Sequence, residues 1–255
     1  MIKQTEDMPN RLLALGLAGA LALGLAACGD QGATTSPDPS PGDAGTPAAT
    51  GREDPVIEGG VPLEPEFPKP MFIGTPQDAD LPNLEPEGTD PKLSIMVEEG
   101  TELISAGAPV TGSDDLPTIG ELDYVTDGDK DGGDGYYVEL GPGLQWVQID
   151  LGESRSIQAV AIWHFHKNAR AYKDVVVQVS DDPEFADGVT TIYNNDHDNS
   201  AGQGVGEDFT YIETNHGRLI SGRGAEGQYV RLYSNGNTTD DLNHYVEVEV
   251  YGKSL

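Results

Sequence analysis

The sequence predicts an all-β sandwich, and two observations carry that prediction. Short runs rich in Val, Ile and Tyr, about four to eight residues each, recur through the second half of the chain between loops of Gly, Asn and Asp. No sustained helical period competes with them there, and the length left after the N-terminal stretches suits one domain. Strands are expected over residues 144–151, 159–165, 174–180, 190–194, 229–234 and 245–251. No internal repeat is visible.

Taken in order, residues 1–27 read as an export signal. Lys3 and Arg11 make a weakly basic start, residues 12–25 are an apolar Leu/Ala/Gly run too short for a stable membrane span, and Leu25-Ala26-Ala27-Cys28 closes it. That tetrapeptide matches the bacterial lipobox, in which the cysteine becomes the acylated first residue. Cys28 is therefore the expected lipidation site, and the mature chain is expected to be anchored to a membrane without spanning it. It is also the only cysteine, which leaves no disulfide for the folded part.

Residues 28–66 are rich in Pro, Gly, Thr, Ala, Ser and acidic groups, too poor in clustered hydrophobes to offset their ordering entropy, and are read as a disordered tether. Residues 67–100 differ. Met71, Phe72, Ile73, Leu81 and Leu84 are apolar groups set among prolines, which favour extended chain, so this strip is expected to pack on the outside of the sandwich. A docking peptide for another protein is the alternative. The domain proper is expected over residues 101–255.

Its first strong strand holds Trp146, Val147, Ile149 and Leu151 and ends at Gly152. The blocks Trp146-Val-Gln-Ile-Asp-Leu-Gly152 and Ile157-Gln-Ala-Val-Ala-Ile-Trp163 resemble the early core of the discoidin family, the coagulation factor 5/8 type C domains. The similarity continues through residues 174–185, Gln228-Tyr-Val-Arg-Leu-Tyr233 and Glu247-Val-Glu-Val-Tyr-Gly252, in the family's order. It implies a galactose-binding-like jelly-roll related to bacterial carbohydrate-binding modules. The chain lacks the disulfide common in animal members, which places it nearer the bacterial ones and weakens any carry-over of lipid binding.

Residues 126–135, Thr-Asp-Gly-Asp-Lys-Asp-Gly-Gly-Asp-Gly, offer the hard oxygen ligands calcium prefers. An EF-hand fails on context, because its last loop position would be Val138 instead of Glu. The resemblance implies a structural calcium held by Asp127, Asp129 and Glu247, with Glu249 as a substitute on the same strand face. A solvated acidic turn without metal is the other reading. For ligand binding, His164, His166, Arg170 and Tyr172 in one segment and Asn235, Asn237, Asn243 and His244 in another would form a polar pocket with an aromatic wall. The bland reading is that His164 sits among core residues and the asparagines cap turns. Asp196, His197 and Asp198 are metal-compatible but adjacent, which rarely lets residues converge on one ion.

The formal charge of −30, from 44 acidic and 14 basic residues, disfavours nucleic acid, heparin-like glycans and anionic lipid surfaces. Cations and neutral ligands stay open. No nucleophile elbow, zinc-protease helix or nucleotide loop is present, so no enzyme activity is expected. The expected function is a lipid-anchored protein of the outer membrane or cell surface, with the periplasmic face also open, that binds carbohydrate with calcium support. A protein-interaction module holding a partner at the envelope is the alternative.

Overall fold

The computed structural model describes residues 49–71 and 79–255. The signal segment, Cys28, the tether up to residue 48, Phe72 and Ile73 lie outside the described residues. Eleven strands follow in order: β1 (Val61–Leu63), β2 (Ile95–Val97), β3 (Glu102–Leu103), β4 (Val110–Gly112), β5 (Val138–Leu140), β6 (Gln145–Trp163), β7 (Val176–Ser180), β8 (Thr190–Asn194), β9 (Arg218–Ser234), β10 (Asn243–Tyr245) and β11 (Glu247–Ser254). The only helical element among the described residues is a short 3-10 turn, Leu122–Thr126.

The two long strands organise the fold. β6 and β9 run antiparallel along their length, and each bends from one layer of the sandwich into the other. The first half of β6 and the second half of β9 pair with β4 and β7, and β8 extends that layer. The other halves pair with each other and with β11, which carries β3 at its edge. Register shifts between Asp150 and Arg155 and between Ile157 and Ala159 mark the bends. At the second, a Cβ on Gly222 would lie 2.1 Å from the Ile157 carbonyl oxygen, so β9 can pass only as glycine there.

These bends correct the expected strand list. Residues 144–151 and 159–165 are one strand, because Gly152, at φ +80°, turns the chain without ending its pairing. β9 begins at residue 218, eleven residues before its predicted start, since its glycine-rich first half hides the apolar alternation. The last predicted strand is two: Tyr245 ends β10, paired with β5, whereas Glu247 begins β11.

Alternation along the strands builds two cores. Val147, Ile149, Val160, Ile162, Val177, Val179, Val230, Leu232, Val248 and Val250 meet between the layers. Residues on the opposite face of β6, Ala159, Ala161 and Trp163, join Leu219, Tyr251, Ile95 and Val97 in a second cluster outside the sandwich. The paired strands β1 and β2 and Phe67 cover that cluster.

The tether boundary at residue 66 is also corrected. Residues 49–66 lie along the domain: Thr50 and Gly51 donate their N–H groups to the Glu207 carbonyl, Arg52 pairs with Asp208, and Arg223 donates to the Glu53 carbonyl at 2.9 Å. Polar composition made this stretch look like a spacer, yet it is held by backbone bonds and ion pairs, which need no hydrophobic run.

Candidate functional site

The ends of β5, β8 and β9 and the starts of β6, β7 and β10 lie at one end of the sandwich, because these neighbours are antiparallel. Their loops enclose a cavity of about 460 Å³. Lys173 and Asp174 enter it from the approach to β7, Asn195, His197, Asp198 and Ser200 from the loop after β8, and Asn235 and Asp241 from the loop after β9. Leu81 and Asn83 of the proline-rich strip complete the wall. Asn83 is fixed there by its Nδ2, which donates to the Asn195 carbonyl at 2.6 Å, and by Thr210, whose hydroxyl donates to its Oδ1 at 3.1 Å.

The wall is polar and internally braced. Asp174 takes a left-handed backbone (φ +53°), and its Oδ2 accepts the Ser200 hydroxyl at 2.6 Å and the Asn235 amide at 2.8 Å. Buried Asp196 accepts the N–H groups of Ser200 and Ala201 at 3.0 and 2.8 Å. Burial raises its pKa, with the neighbouring Asp174 charge adding and the Ala201 and Ser200 N–H groups opposing.

Of the eight residues expected to bind ligand, Asn235 alone lines this cavity. The other seven are buried, between 0% and 5% exposed. They do come together, as a network inside the domain. Tyr172 donates to His244 Nδ1 at 2.9 Å and stacks on His164 at 4.2 Å between ring centroids. His164 Nδ1 lies 3.1 Å from Glu213, and Arg170 packs over Phe165 and reaches Asp240 at 3.4 Å. His166 Nε2 bonds the Lys130 carbonyl at 2.8 Å. Asn237 and Asn243 tie turns, Asn237 through Asp240 and the Leu242 carbonyl, Asn243 through the Gly141 and Gly143 carbonyls. The expected open aromatic pocket is thus corrected to a closed one: segments 164–172 and 235–245 meet face to face and exclude solvent from their own polar groups.

His244 shows the consequence. Burial pushes its pKa down to about 4, with the Arg170 charge adding and Asp240 opposing. The neutral ring accepts from Tyr172 and presents Nε2–H to Glu139 at 3.2 Å. The unfolded chain takes up this proton near pH 6.5, the folded one only near 4, so His244 removes stability as pH falls through that window. Glu139, whose carboxyl is raised by burial, acts in the opposite sense. The expected NMR titration midpoint of the His244 ring is about 4; a midpoint near 6.5 would mean that the ring is open to solvent.

The acidic loop lies elsewhere, against β11. Asp127 and Asp129 each accept, through Oδ1, the N–H two residues on, at 2.8 and 2.9 Å, and Gly128 N–H donates to Glu247 at 2.9 Å. Glu247 is 2% exposed and is pushed up to about 8 by burial; Gly128 N–H and Lys130 oppose, while Glu249 and Asp127 add. Asp127 is an acidic neighbour of the buried Glu247 carboxyl, the setting a hard cation takes, but Asp127, Asp129 and Glu247 are not grouped within ligating distance of one another; the carboxylates that are, among the described residues, are Asp174, Asp196 and Asp198. Glu249 is already engaged: Lys130 Nζ lies 2.6 Å from one of its oxygens, and Tyr251 donates to the other at 2.7 Å. Sequence reasoning missed the grouping of Asp174 with Asp196 and Asp198, which only the β7–β8 pairing creates.

Residues 124–232 match the family described as F5/F8 type C, NedA-like, galactose-binding domain. These residues are an F5/F8 type C domain. No curated protein sequence matches the chain. Among solved structures, the chain is similar to part of a family 89 glycoside hydrolase from Clostridium perfringens in complex with 2-acetamido-1,2-dideoxynojirmycin, at 19% identity and a TM-score of 0.45 over 60% of this chain. The match spans only 15% of that enzyme's chain. It is also similar to chitosan-binding module 1 derived from chitosanase/glucanase from Paenibacillus sp. IK-5 (21% identity, TM-score 0.38, 59% of this chain and 99% of that one). A third is the CBM32 of AlyQ in complex with 4,5-unsaturated mannuronic acid (15%, 0.39, 58% and 95%).

Proposed function

We propose that this chain is a lipid-anchored envelope protein whose F5/F8 type C domain binds carbohydrate, without catalysing its cleavage, in the cavity at the end of the sandwich. The observation that carries the reading is that cavity: about 460 Å³, walled by amide, carboxylate, hydroxyl and ammonium groups that match sugar hydroxyls. The amides of Asn83 and Asn235 and the carboxylate of Asp174 are held by bonds to neighbouring loops, so little ordering is needed when a sugar arrives. A glycan array probed with the full chain tests the reading. Binding to a defined glycan is expected, and Asn235→Ala should weaken it about tenfold, since it removes one ligand-facing amide and frees Asp174. A blank array with folded protein would overturn it. Tyr172→Ala and Arg170→Ala are stability variants, since both side chains are buried.

Calcium is proposed as a structural ion held by Asp127, Asp129 and Glu247; it would supply the positive charge that the buried Glu247 carboxyl lacks. Chelation should lower the melting temperature, by an amount equivalent to about 3 kcal/mol if the ion is near a hundredfold above its Kd. Glu247→Gln should make the melt indifferent to chelator. A wild-type melt that ignores both chelator and added calcium would sink the site. Anchoring through Cys28, at the outer membrane or cell surface, rests on the Leu25-Ala26-Ala27-Cys28 motif; Cys28→Ser should release the protein from the membrane fraction.

A further inference from the structure

The cavity carries more negative charge than recognition of a neutral sugar requires. Asp174 and Asp198, which line it, bring carboxylate oxygens within 4.8 Å of each other and of the fully buried Asp196, and Asp241 stands on the same rim. Lys173 and His197 are the basic residues of the wall. Among the described residues, none of these four carboxylates is paired with a lysine or arginine, although the chain offers ion pairs to other acids, such as Asp208, Asp240 and Glu249.

The middle of the group is already filled. Ser200 donates its hydroxyl to Asp174 at 2.6 Å and its N–H to Asp196 and Asp198 at 3.0 Å each. A metal at the centre would have to displace these donors, whereas a cationic group of a ligand can approach from the cavity side, where Asp198 is exposed. A second feature of the wall points to a ligand with oxygens beside that cation. Asn195 is 1% exposed and lines the cavity, and its side-chain Nδ2 is buried near the Tyr193 hydroxyl without a hydrogen bond, so a ligand hydroxyl or ring oxygen would satisfy it once the amide turns toward the cavity.

We propose that the cavity takes glycans bearing a free primary ammonium, that is, amino sugars of the glucosamine type, with the ammonium against Asp174 and Asp198. This rests on the carbohydrate reading above and gives it a substrate class. N-acetylation would remove the charge, and a uronate would be repelled by the same carboxylates. The chain's net charge of −30 adds a long-range attraction for a polycation, which salt screens.

The test is calorimetric titration of the full chain with glucosamine oligomers, N-acetylglucosamine oligomers and oligouronates of equal length, each with calcium and with chelator. The expected result is that the free amine binds at least about tenfold tighter than its acetylated counterpart, with or without chelator, and that the uronate does not bind. Asp198→Asn, at an exposed position, should shrink that preference to about twofold with an unchanged melting temperature. Equal or tighter binding of the acetylated oligomer would overturn the inference and leave the carbohydrate reading standing. A preference that survives in Asp198→Asn and Asp241→Asn would trace to overall charge and overturn it too. Binding lost on chelation in Glu247→Gln as well as in the wild type would make the triad a metal site and overturn the inference. Failure of all three oligomers together with a blank glycan array would overturn the carbohydrate reading itself.

Discussion

Trp163→Ala is expected to cost about 3–5 kcal/mol, read from urea denaturation followed by circular dichroism. The indole is fully buried, and it lies outside the sandwich, in the smaller core beneath the proline-rich strip. Its Nε1–H donates to the Asn215 carbonyl at 3.0 Å, Lys130 Nζ sits 4.8 Å from its ring centre, and Phe67 packs at 6.5 Å between centroids. Removing the ring would leave a cavity that Gly217 cannot fill, unpair the half-buried Asn215 carbonyl, and take the seat from Phe67 and the paired strands β1 and β2. Trp163→Phe keeps most of the apolar contact and loses the hydrogen bond, so a cost of about 1–2 kcal/mol is expected. A Trp163→Ala cost below about 1 kcal/mol would mean that the strip does not depend on this residue.

Arg231→Ala comes next, at about 3 kcal/mol. The guanidinium lies between two rings, 4.3 Å from the centre of Trp146 and 4.2 Å from that of Phe185. It donates to Gln148 at 2.8 Å, to the Pro183 carbonyl at 2.9 Å and to Tyr233 at 3.4 Å. Phe185 reaches its place with φ +55°, a backbone strain of about 1 kcal/mol for a bulky residue, which the stacked cation offsets. Asp182 holds the turn by accepting three backbone N–H groups, and those bonds set its carboxyl below the usual range. Arg231→Lys keeps the charge but has no planar fork to stack or to donate in three directions, so it should recover less than half of the loss. Full recovery by lysine would show that charge alone matters there.

Much of the fold is legible in the sequence because its signals are local. Short runs of β-branched and aromatic residues, Val in β7 and Thr, Ile and Tyr in β8, mark these strands to within a residue or two, and the five family blocks fall on β6, β7, β9 and β11 with the loop after β7. The continuity of β6 and β9 is not legible: glycine reads as a stop, and only pairing with a neighbouring strand shows that the chain bends and carries on. The same holds for residues 49–66, whose anchors, Arg52 to Asp208 and Arg223 to Glu53, join positions more than 150 residues apart.

The candidate site was legible in chemistry but not in place. His164, Tyr172, Arg170 and His244 are the residue types that bind sugars, and they do converge, yet they face one another and are buried. Asp174, Asn195 and Asp198 look like ordinary turn residues in sequence, and they line the cavity, where Asp198 is exposed. The β-sandwich, its main strands, the family resemblance and the acidic character of the chain can be read from the residues alone, since these follow from periodicity, ordered motifs and charge count. Which polar residues face solvent emerges with the folded chain, because exposure depends on what the partner loop places opposite each side chain. Here that partner is the neighbouring loop for His244 and an open cavity for Asp198.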